Sequence, residues 1–203
     1  MSALARLRKE SSTRLQWSYN SFMNRIELIN SLKDYHTPFQ DETDYIKRFL
    51  FLLSDEPCFE RTHLPGHITG SAWIVDSSRT QVLLVHHAKL NKWIQPGGHA
   101  DGDENILGVA LKEAEEETGL NEFKILDDTK PFDIDIHLIP QRKEFPEHFH
   151  YDVRFIMEAN PKEQIFVSEE SHDVKWIKLD DLEKYNQERS VLRMKEKLFR
   201  PHQ

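Results

Sequence analysis

The sequence predicts an α+β domain that follows an N-terminal helical arm. Over about the first 60 positions, apolar residues recur every three or four residues, which is the spacing of one helix face. From His67 onward, short β-rich runs alternate with turn-forming residues and with one helical segment. We therefore divide the chain into a helical extension (1–64) and a main domain with a C-terminal helical tail (65–203).

The composition of the 203-residue chain is that of an ordinary globular protein, with 38% hydrophobic and 31% charged residues. No apolar run approaches the roughly 20 residues that cross a bilayer, so we expect no membrane insertion. The formal net charge of -8 disfavours a nucleic-acid polymer as partner, because such a surface must neutralise phosphates with Lys and Arg. The single Cys58 cannot form an internal disulfide, and the N-terminus lacks an apolar signal core, which together predict a cytoplasmic protein.

Two helices are predicted in the arm. Their apolar stripes are Tyr19, Phe22, Met23, Ile26 and Ile29 for the first, and Tyr45, Ile46, Phe49, Leu50 and Leu53 for the second. The run Thr37-Pro38-Phe39-Gln40 predicts the start of the second helix, with Thr37 as the cap and Gln40 completing a capping box. We interpret the arm as an appendage that either packs on the main domain or mediates homodimerisation, with a domain edge as the other dimer surface.

The main domain is predicted to contain five strands and one long helix. The strands correspond to the runs ITGSAWIV, TQVLLVHH, FDIDIHLI, HYDVRFIM and HDVKWIKL. The helix begins near Asp103 and ends at Gly119, which suits the left-handed conformation that terminates helices. After Leu179, the runs DLEKY and ERSVLRMKEKLF predict a helical tail.

The long helix carries four glutamates within five residues, and their position on the helix decides what they can do. At 100° per residue, Glu116 and Glu117 fall within about 60° of Glu113, whereas Glu115 lies on the opposite side. Like charges at this spacing repel, and a hard divalent cation such as Mg²⁺ would relieve the repulsion. The alternative from spacing alone is a solvated acidic face.

A longer pattern decides between these alternatives. Gly98, five residues, Glu104, seven residues and then KEAEEETGL resemble the signature of the Nudix hydrolases. Lys112 stands where the family usually has Arg. The resemblance covers residues 67 to 185 in fold and implies an α/β/α sandwich with a mixed sheet.

The resemblance also implies an activity and a set of site residues. The implied reaction is hydrolysis, by water, of the phosphoanhydride bond in a small nucleotide-type substrate, a nucleoside diphosphate linked to another moiety. Mg²⁺ or Mn²⁺ would be held by Glu113, Glu116, Glu117 and the carbonyl of Gly97. The implied catalytic residues are Glu113 and Glu116 with Glu170, preferred over Glu169 as the base from a loop outside the box. Gly98, Glu104 and Lys112 would support the loop.

Two other functions stay open at this point. A catalytically weak or inactive nucleotide-binding sensor on the same fold is favoured by Lys112, because Lys lacks the bidentate fork of Arg. An isomerase of prenyl diphosphates would need a cysteine beside the cleft, and Cys58 in CFERTHLPG is better explained as structural.

A second polar cluster is predicted from strand alternation. Asp133, Asp135 and His137 share one face of FDIDIHLI, and the later run places His148, His150, Asp152 and Arg154 on one face. If QRKEFPE joins the two strands as a hairpin, these faces lie side by side. We expect contact with substrate phosphates through Arg154, His137, His148 and His150. The alternatives are a second metal held by His and Asp, or a face that is paired internally.

Overall fold

The computed structural model describes residues 23–127, 130–142 and 145–200. Its α-helices are α1 (Arg25–Lys33), α2 (Gln40–Leu52), α3 (Ile106–Thr118) and α4 (Arg189–Leu198). Its strands are β1 (Gly66–Val75), β2 (Gln81–His87), β3 (Lys92–Ile94), β4 (Gly97–His99), β5 (Lys124–Ile125), β6 (Asp133–Ile139), β7 (His148–Glu158) and β8 (Ser171–Lys178). Short 3-10 helices cover Glu56–Phe59 and Leu179–Lys184. None of the described helices is long and apolar enough to cross a membrane.

The eight strands form one mixed sheet. Its path is β3-β2-β1-β7-β5, with β4 beside β1, β6 beside β7 and β8 beside β2. β1 and β7 are parallel along their whole lengths, and the other pairs are antiparallel. All five predicted strands are present. β3, β4 and β5 were not predicted, because strands of two or three residues are too short to show alternation.

Helices cover both faces of the sheet, which confirms the predicted α+β sandwich. One apolar cluster joins α1, α2 and α3 to one side of the central strands and includes Leu32, Phe49 and Ala110. A second cluster includes Trp73 on β1 and packs α4 through Val191 and Met194. Both arm helices therefore share a core with the sheet, as the packing interpretation of the arm expects.

The predicted details of the arm are partly wrong. Tyr19 and Phe22 lie outside the described residues, and Ile26 is 68% exposed, while Leu28 and Leu32 carry the buried face of α1. α2 begins at Gln40 rather than at Pro38, and its N-cap Phe39 makes no side-chain cap. Thr37 Oγ1 accepts the N–H of Phe39 at 3.2 Å and not that of Gln40, and its hydroxyl donates to Glu42, so no capping box forms.

Side chains from the helices hydrogen-bond to the backbone around β6, the strand at one side of the sheet. The N–H of Ile134 donates to Glu42 Oε1 at 3.3 Å, and Arg193 Nη2 donates to the carbonyl of Ile134 at 2.7 Å. The carbonyl of Phe132 accepts from Tyr35 at 3.1 Å and from Lys197 at 3.0 Å. Backbone groups on this side are thus bonded to α2, α4 and the end of α1.

Candidate active site

The loop between β4 and α3 connects a glycine-rich strand to the glutamate helix, and the strand contacts the helix at Glu113 and Glu117. Asn105 caps α3 by accepting the N–H of Gly108 at 3.3 Å, so the helix begins at Ile106, three residues after the predicted start. Asp103 lies in the loop, where it accepts the N–H of Asn105 at 2.8 Å. Gly119 ends the helix in the left-handed region with φ 73°, as predicted.

The glutamates of α3 differ sharply in exposure. Leu107, Ala110 and Ala114 bury one side of the helix in the core, and Glu117 beside them is only 7% exposed. Glu113 is half-buried, whereas Glu116 is exposed. Glu117 Oε2 accepts the N–H of Gly97 at 3.0 Å, which ties the carboxylate to β4. The carboxylates of α3 thus range from buried at Glu117 to exposed at Glu116.

The pKa values of the two more buried glutamates are raised. Burial raises the pKa of Glu117 to about 7 against the hydrogen bond from Gly97, and the charges of Glu113 and Glu170 add to the rise. Burial, followed by the charge of Glu116, also raises the pKa of Glu113. In the described part of the chain, neither carboxylate forms an ion pair with Lys or Arg. An all-oxygen donor set with excess negative charge fits a hard cation such as Mg²⁺ or Mn²⁺.

Gly98 is required by the close approach of β4 to the glutamates. A Cβ added at Gly98 would lie 2.5 Å from Cδ of Glu113, so the carboxylate would have to move away from β4. Gly97, the preceding residue of β4, donates its backbone N–H to Glu117. The two glycines therefore let the backbone reach the carboxylates, and the carbonyl of Gly97 stays a predicted metal ligand.

Glu170 and Lys112 both lie near the glutamates. Glu170 is exposed just before β8, and its charge contributes to the raised pKa values of Glu113 and Glu117. Lys112 Nζ lies 3.7 Å from Glu116 Oε1, and both side chains are exposed. This is the i,i+4 pairing that the sequence allows for Lys112. The catalytic role of Glu170 and the supporting role of Lys112 stay predictions.

Glu104 binds a residue that the sequence did not indicate. Its Oε1 accepts from Arg25 Nε at 2.9 Å, and Arg25 also donates to the carbonyl of Asp55 at 3.0 Å. One arginine at the start of α1 therefore connects the loop before α3 with the segment that follows α2. This contact agrees with a bracing role for Glu104.

The second polar cluster forms where the hairpin prediction placed it. In the antiparallel pair β6 and β7, Asp133 faces Arg154, Asp135 faces Asp152 and His137 faces His150. The two polar faces therefore lie side by side. The cluster divides into an Asp–Arg half and a histidine half, and these have different environments.

The expectation that Arg154 contacts substrate phosphates is corrected by the structure. Arg154 is 3% exposed, and its guanidinium donates to Asp152 at 2.8 Å and to Asp133 and Asp135 at 3.1 Å each. Three carboxylates already occupy its donors. Arg154 therefore belongs to the internally paired alternative.

Arg193 on α4 completes this network and was not predicted. It is fully buried and donates to Asp133 Oδ2 at 2.9 Å and to Asp133 Oδ1 at 2.8 Å, and it is also paired with Asp41. We name the set Asp133, Asp135, Asp152, Arg154 and Arg193 the Asp–Arg network. It joins β6, β7, α2 and α4 through charge-assisted hydrogen bonds.

The histidine half contains two residues besides the three that strand alternation placed there. His137, His148 and His150 are joined by His67 on β1 and by His99 on β4, with neighbouring ring centroids 5.0–5.4 Å apart. We name these five residues the histidine cluster. Burial lowers the pKa of His67 to about 4 and that of His150 to about 2. Substrate contact by His137, His148 and His150 stays a prediction.

Comparison with known families places the matched region on this sheet. The NUDIX domain model matches residues 66–196, which include every strand and the glutamate helix. The m7GpppN-mRNA hydrolase NUDT17 of Danio rerio is 40% identical over 61 residues, which are 28% of this chain and 20% of that protein. The asymmetrical bis(5'-nucleosyl)-tetraphosphatase of Rattus norvegicus is 27% identical over 108 residues, 53% of this chain and 70% of that protein. The chain thus spans about a fifth of NUDT17.

Solved structures share the fold at low identity. A C. elegans Ap4A hydrolase in a binary complex superposes with a TM-score of 0.50 and 18% identity, over 64% of this chain and 93% of the other. The E. coli dihydroneopterin triphosphate pyrophosphohydrolase gives a TM-score of 0.51 and 14% identity, over 64% and 92% of the two chains. Both agree with the predicted sandwich and its mixed sheet.

Proposed function

The chain belongs to the NUDIX domain family, and on that premise we propose that it is a metal-dependent hydrolase of a phosphoanhydride bond. The substrate is a nucleoside diphosphate linked to another moiety, and water is the nucleophile. The observation that carries this proposal is the placement of two carboxylates of α3 against β4. Glu117 accepts the N–H of Gly97 at 3.0 Å and Glu113 lies against Gly98, and neither forms an ion pair with Lys or Arg among the described residues. A diphosphate site that works through a divalent cation needs such carboxylates.

The proposed ligands of Mg²⁺ or Mn²⁺ are Glu113, Glu116, Glu117 and the carbonyl of Gly97. When bound there, such a cation would neutralise charge at the phosphates and lower the pKa of a nearby water. The chain itself fixes the ligands: the N–H of Gly97 holds the Glu117 carboxylate at 3.0 Å, and the missing side chain of Gly98 makes room for Glu113. α3 is anchored in the core, so these carboxylates are oriented before substrate binds.

Glu170 is the proposed base that takes the proton of the attacking water. It lies outside the helix, in the segment before β8, yet its charge acts on Glu113 and Glu117. An exposed carboxylate near a cation site can accept a proton and return it to solvent. Glu113 and Glu116 are the other proposed catalytic residues, and Lys112 steadies Glu116 through their 3.7 Å pair.

The nature of the substrate is supported by the relatives only in outline. The names of the matched proteins describe an mRNA cap hydrolase and a dinucleoside tetraphosphatase. The substrates in both names contain a nucleoside joined to a polyphosphate. We extend to this chain only the shared part, a nucleoside joined to a phosphoanhydride. The rest of the substrate is selected by loops and neighbouring strands outside the glutamate helix.

A nucleotide-binding sensor with little turnover is the second candidate. The observation in its favour is Lys112, which is exposed and contacts Glu116 at 3.7 Å without the two parallel bonds an arginine can make. The hydrolase is preferred because every glutamate of the matched pattern is present in the sequence.

The cytoplasmic location, the domain boundary at residue 64 and homodimerisation through the arm or a domain edge stay predictions. The arm helices contribute Leu28, Leu32 and Phe49 to the core that also holds α3. We propose that the arm acts mainly by packing on the main domain. Sedimentation of the purified chain tests the dimer directly.

The test is product release from a panel of nucleotide sugars, ADP-ribose, dinucleoside polyphosphates and nucleoside triphosphates, with Mg²⁺, Mn²⁺ or EDTA. We expect metal-dependent cleavage of one class and a loss of about 100-fold or more in Glu116→Gln and Glu117→Gln. Glu115→Gln is the matched control, because it makes the same change on the opposite side of α3. Binding without turnover across the panel would favour the sensor, and wild-type rates in both site variants would refute the assigned site.

A further inference from the structure

Three adjacent strands place histidines in one row across the sheet. β7 lies between β6 and β1, and His150 faces His137 on β6 and His67 on β1. Neighbouring strands are about 4.8 Å apart, so side chains in one row are held at contact distance. His99 on β4 faces Thr69, two residues along β1 from His67, and its ring lies 5.2 Å from that of His67.

Three of these rings converge on one point. His67, His99 and His150 each offer one nitrogen, and these nitrogens all lie within 4.8 Å of one another. The three residues come from three strands, β1, β4 and β7, which are rigidly paired in one sheet. The convergence therefore belongs to the framework of the fold and not to a mobile loop.

His67 is the most buried of the three rings, and its Nε2 has no hydrogen-bond partner among the described residues. His67 is 0% exposed, and its Nδ1 lies 3.4 Å from the carbonyl of His63. A carbonyl only accepts, so Nδ1 carries the hydrogen and Nε2 carries a lone pair in the neutral ring. Nε2 of His67 and Nε2 of His150 are buried and make no hydrogen bond within the described residues. Buried polar atoms of this kind are rare unless a ligand satisfies them.

We propose that His67, His99 and His150 bind a borderline divalent transition-metal ion, with Zn²⁺ as the type, at a site separate from the glutamates of α3. Imidazole nitrogen suits Zn²⁺, whereas Mg²⁺ and Ca²⁺ require oxygen ligands. A ring whose other N–H donates to a backbone carbonyl, as that of His67 does, is the usual arrangement of a metal-bound histidine.

The rings need only a small movement to coordinate the ion. Zn²⁺ binds histidine nitrogen at about 2.0–2.1 Å, which places the nitrogens of a tetrahedral site about 3.4 Å apart. The present upper separation of 4.8 Å therefore closes by about 1.4 Å through rotation of the partly exposed His99 and His150. Three protein ligands leave one position for water or an added ligand.

Metal at this site would fix the strand that carries the glycines of the candidate active site. His99 directly follows Gly97 and Gly98 on β4, and β4 pairs with β1 only from Thr69 to Ser71. Coordination by His67 and His150 would join this short strand to the two long parallel strands. Zinc would thus act here by holding β4, while the glutamates retain the hard cation.

The test uses the full-length, untagged chain, stripped with EDTA and titrated with Co²⁺ in excess Mg²⁺. Mg²⁺ occupies carboxylates but not imidazoles, and four-coordinate Co²⁺ absorbs far more strongly in the visible range than six-coordinate Co²⁺. We expect one equivalent of strongly absorbing Co²⁺ that Zn²⁺ displaces. Affinity should fall about 100-fold or more in His99→Gln and His150→Gln and be unchanged in His36→Gln, an exposed histidine outside the cluster.

A second measurement needs no variant of the site. With ¹⁵N-labelled wild-type protein, the imidazole nitrogens of three histidines should shift on addition of one equivalent of Zn²⁺ in excess Mg²⁺. Absence of both the Co²⁺ band and these shifts would overturn the proposal, as would equal affinity in the two cluster variants and in His36→Gln. Because both readouts report coordination and not turnover, they are independent of whether the chain hydrolyses nucleotides.

Discussion

The aspartates of the Asp–Arg network and the pair Glu113 and Glu117 on α3 are two groups of buried or half-buried carboxylates with opposite electrostatics. Burial alone would raise the pKa of Asp133, but the hydrogen bonds of Arg193 and the charges of Lys197 and Arg154 lower it well below its ordinary value. Around Glu117, no such cation is present among the described residues, and its pKa rises to about 7. Carboxylates with fixed partners stabilise the fold, whereas carboxylates without them are available to a metal ion.

The largest expected effect follows from removing the cation of the paired group. Arg193→Met should lower the free energy of unfolding by about 3–5 kcal/mol, because Asp133 would lose two buried charge-assisted hydrogen bonds. Arg154 and Lys197 would then offset only part of the buried negative charge of Asp133 and Glu42. Urea denaturation measures this change. Arg189→Met on the same helix is the control, since the exposed pair of Arg189 with Glu196 contributes less than about 1 kcal/mol. Equal effects of the two variants would show that the network is not the stabilising element.

Replacing Glu117, which forms no ion pair among the described residues, should change the free energy of unfolding in the opposite direction. In EDTA at pH 8, Glu117→Gln should raise the free energy of unfolding by about 3 kcal/mol, because each unit of pKa displacement corresponds to about 1.4 kcal/mol. A carboxyl whose folded pKa is raised stabilises the fold below its unfolded pKa and loses that contribution as pH rises to about 7. The gain should therefore vanish near pH 4.5. Urea midpoints at both pH values measure it, and a gain independent of pH would contradict the assignment.

A change in the backbone beside the glutamates should weaken cation binding without adding or removing charge. In Gly98→Ala, the new Cβ would lie 2.5 Å from Cδ of Glu113 and must displace that carboxylate. We expect Mn²⁺ affinity to fall by about 10- to 100-fold, as is typical when the support of a metal ligand is lost. Titration calorimetry with Mn²⁺ gives the affinity, and circular dichroism controls for folding. Unchanged affinity would mean that Glu113 does not bind the cation.

The smallest effect is expected at the surface of the same helix. Lys112 and Glu116 are both exposed and 3.7 Å apart, so Lys112→Ala should change the free energy of unfolding by less than about 0.5 kcal/mol. Thermal denaturation in EDTA measures it. A loss above 1 kcal/mol would show that Lys112 also compensates the deeper glutamates.

The sequence predicted the glutamate helix well because the information for a helix is local. Helix periodicity alone places Glu113, Glu116 and Glu117 on one edge, and the left-handed Gly119 marks the end of α3. The five longer strands were likewise predicted from alternation within single segments. Capping of α2 was predicted wrongly, because Thr37 can bond equally well to the side chain of Glu42.

The contacts that the sequence did not reveal join distant segments. Arg193 lies 60 residues from Asp133, and an arginine in an amphipathic tail helix is usually exposed. His67 is a single histidine in an apolar strand, and only the parallel register of β1 and β7 places it beside His150. Arg154 was assigned to substrate because strand alternation shows which face a residue takes but not what lies opposite.

The bonds around β6 have a consequence for the behaviour of the protein in solution. A strand with free N–H and C=O groups is a template for another chain, and proteins avoid aggregation by covering such edges. Here Glu42 and Tyr35 from the arm and Arg193 and Lys197 from the tail already bond to Ile134 and Phe132. The arm and α4, remote in sequence from the glutamates, thus jointly cover the beginning of this edge strand against pairing with another copy.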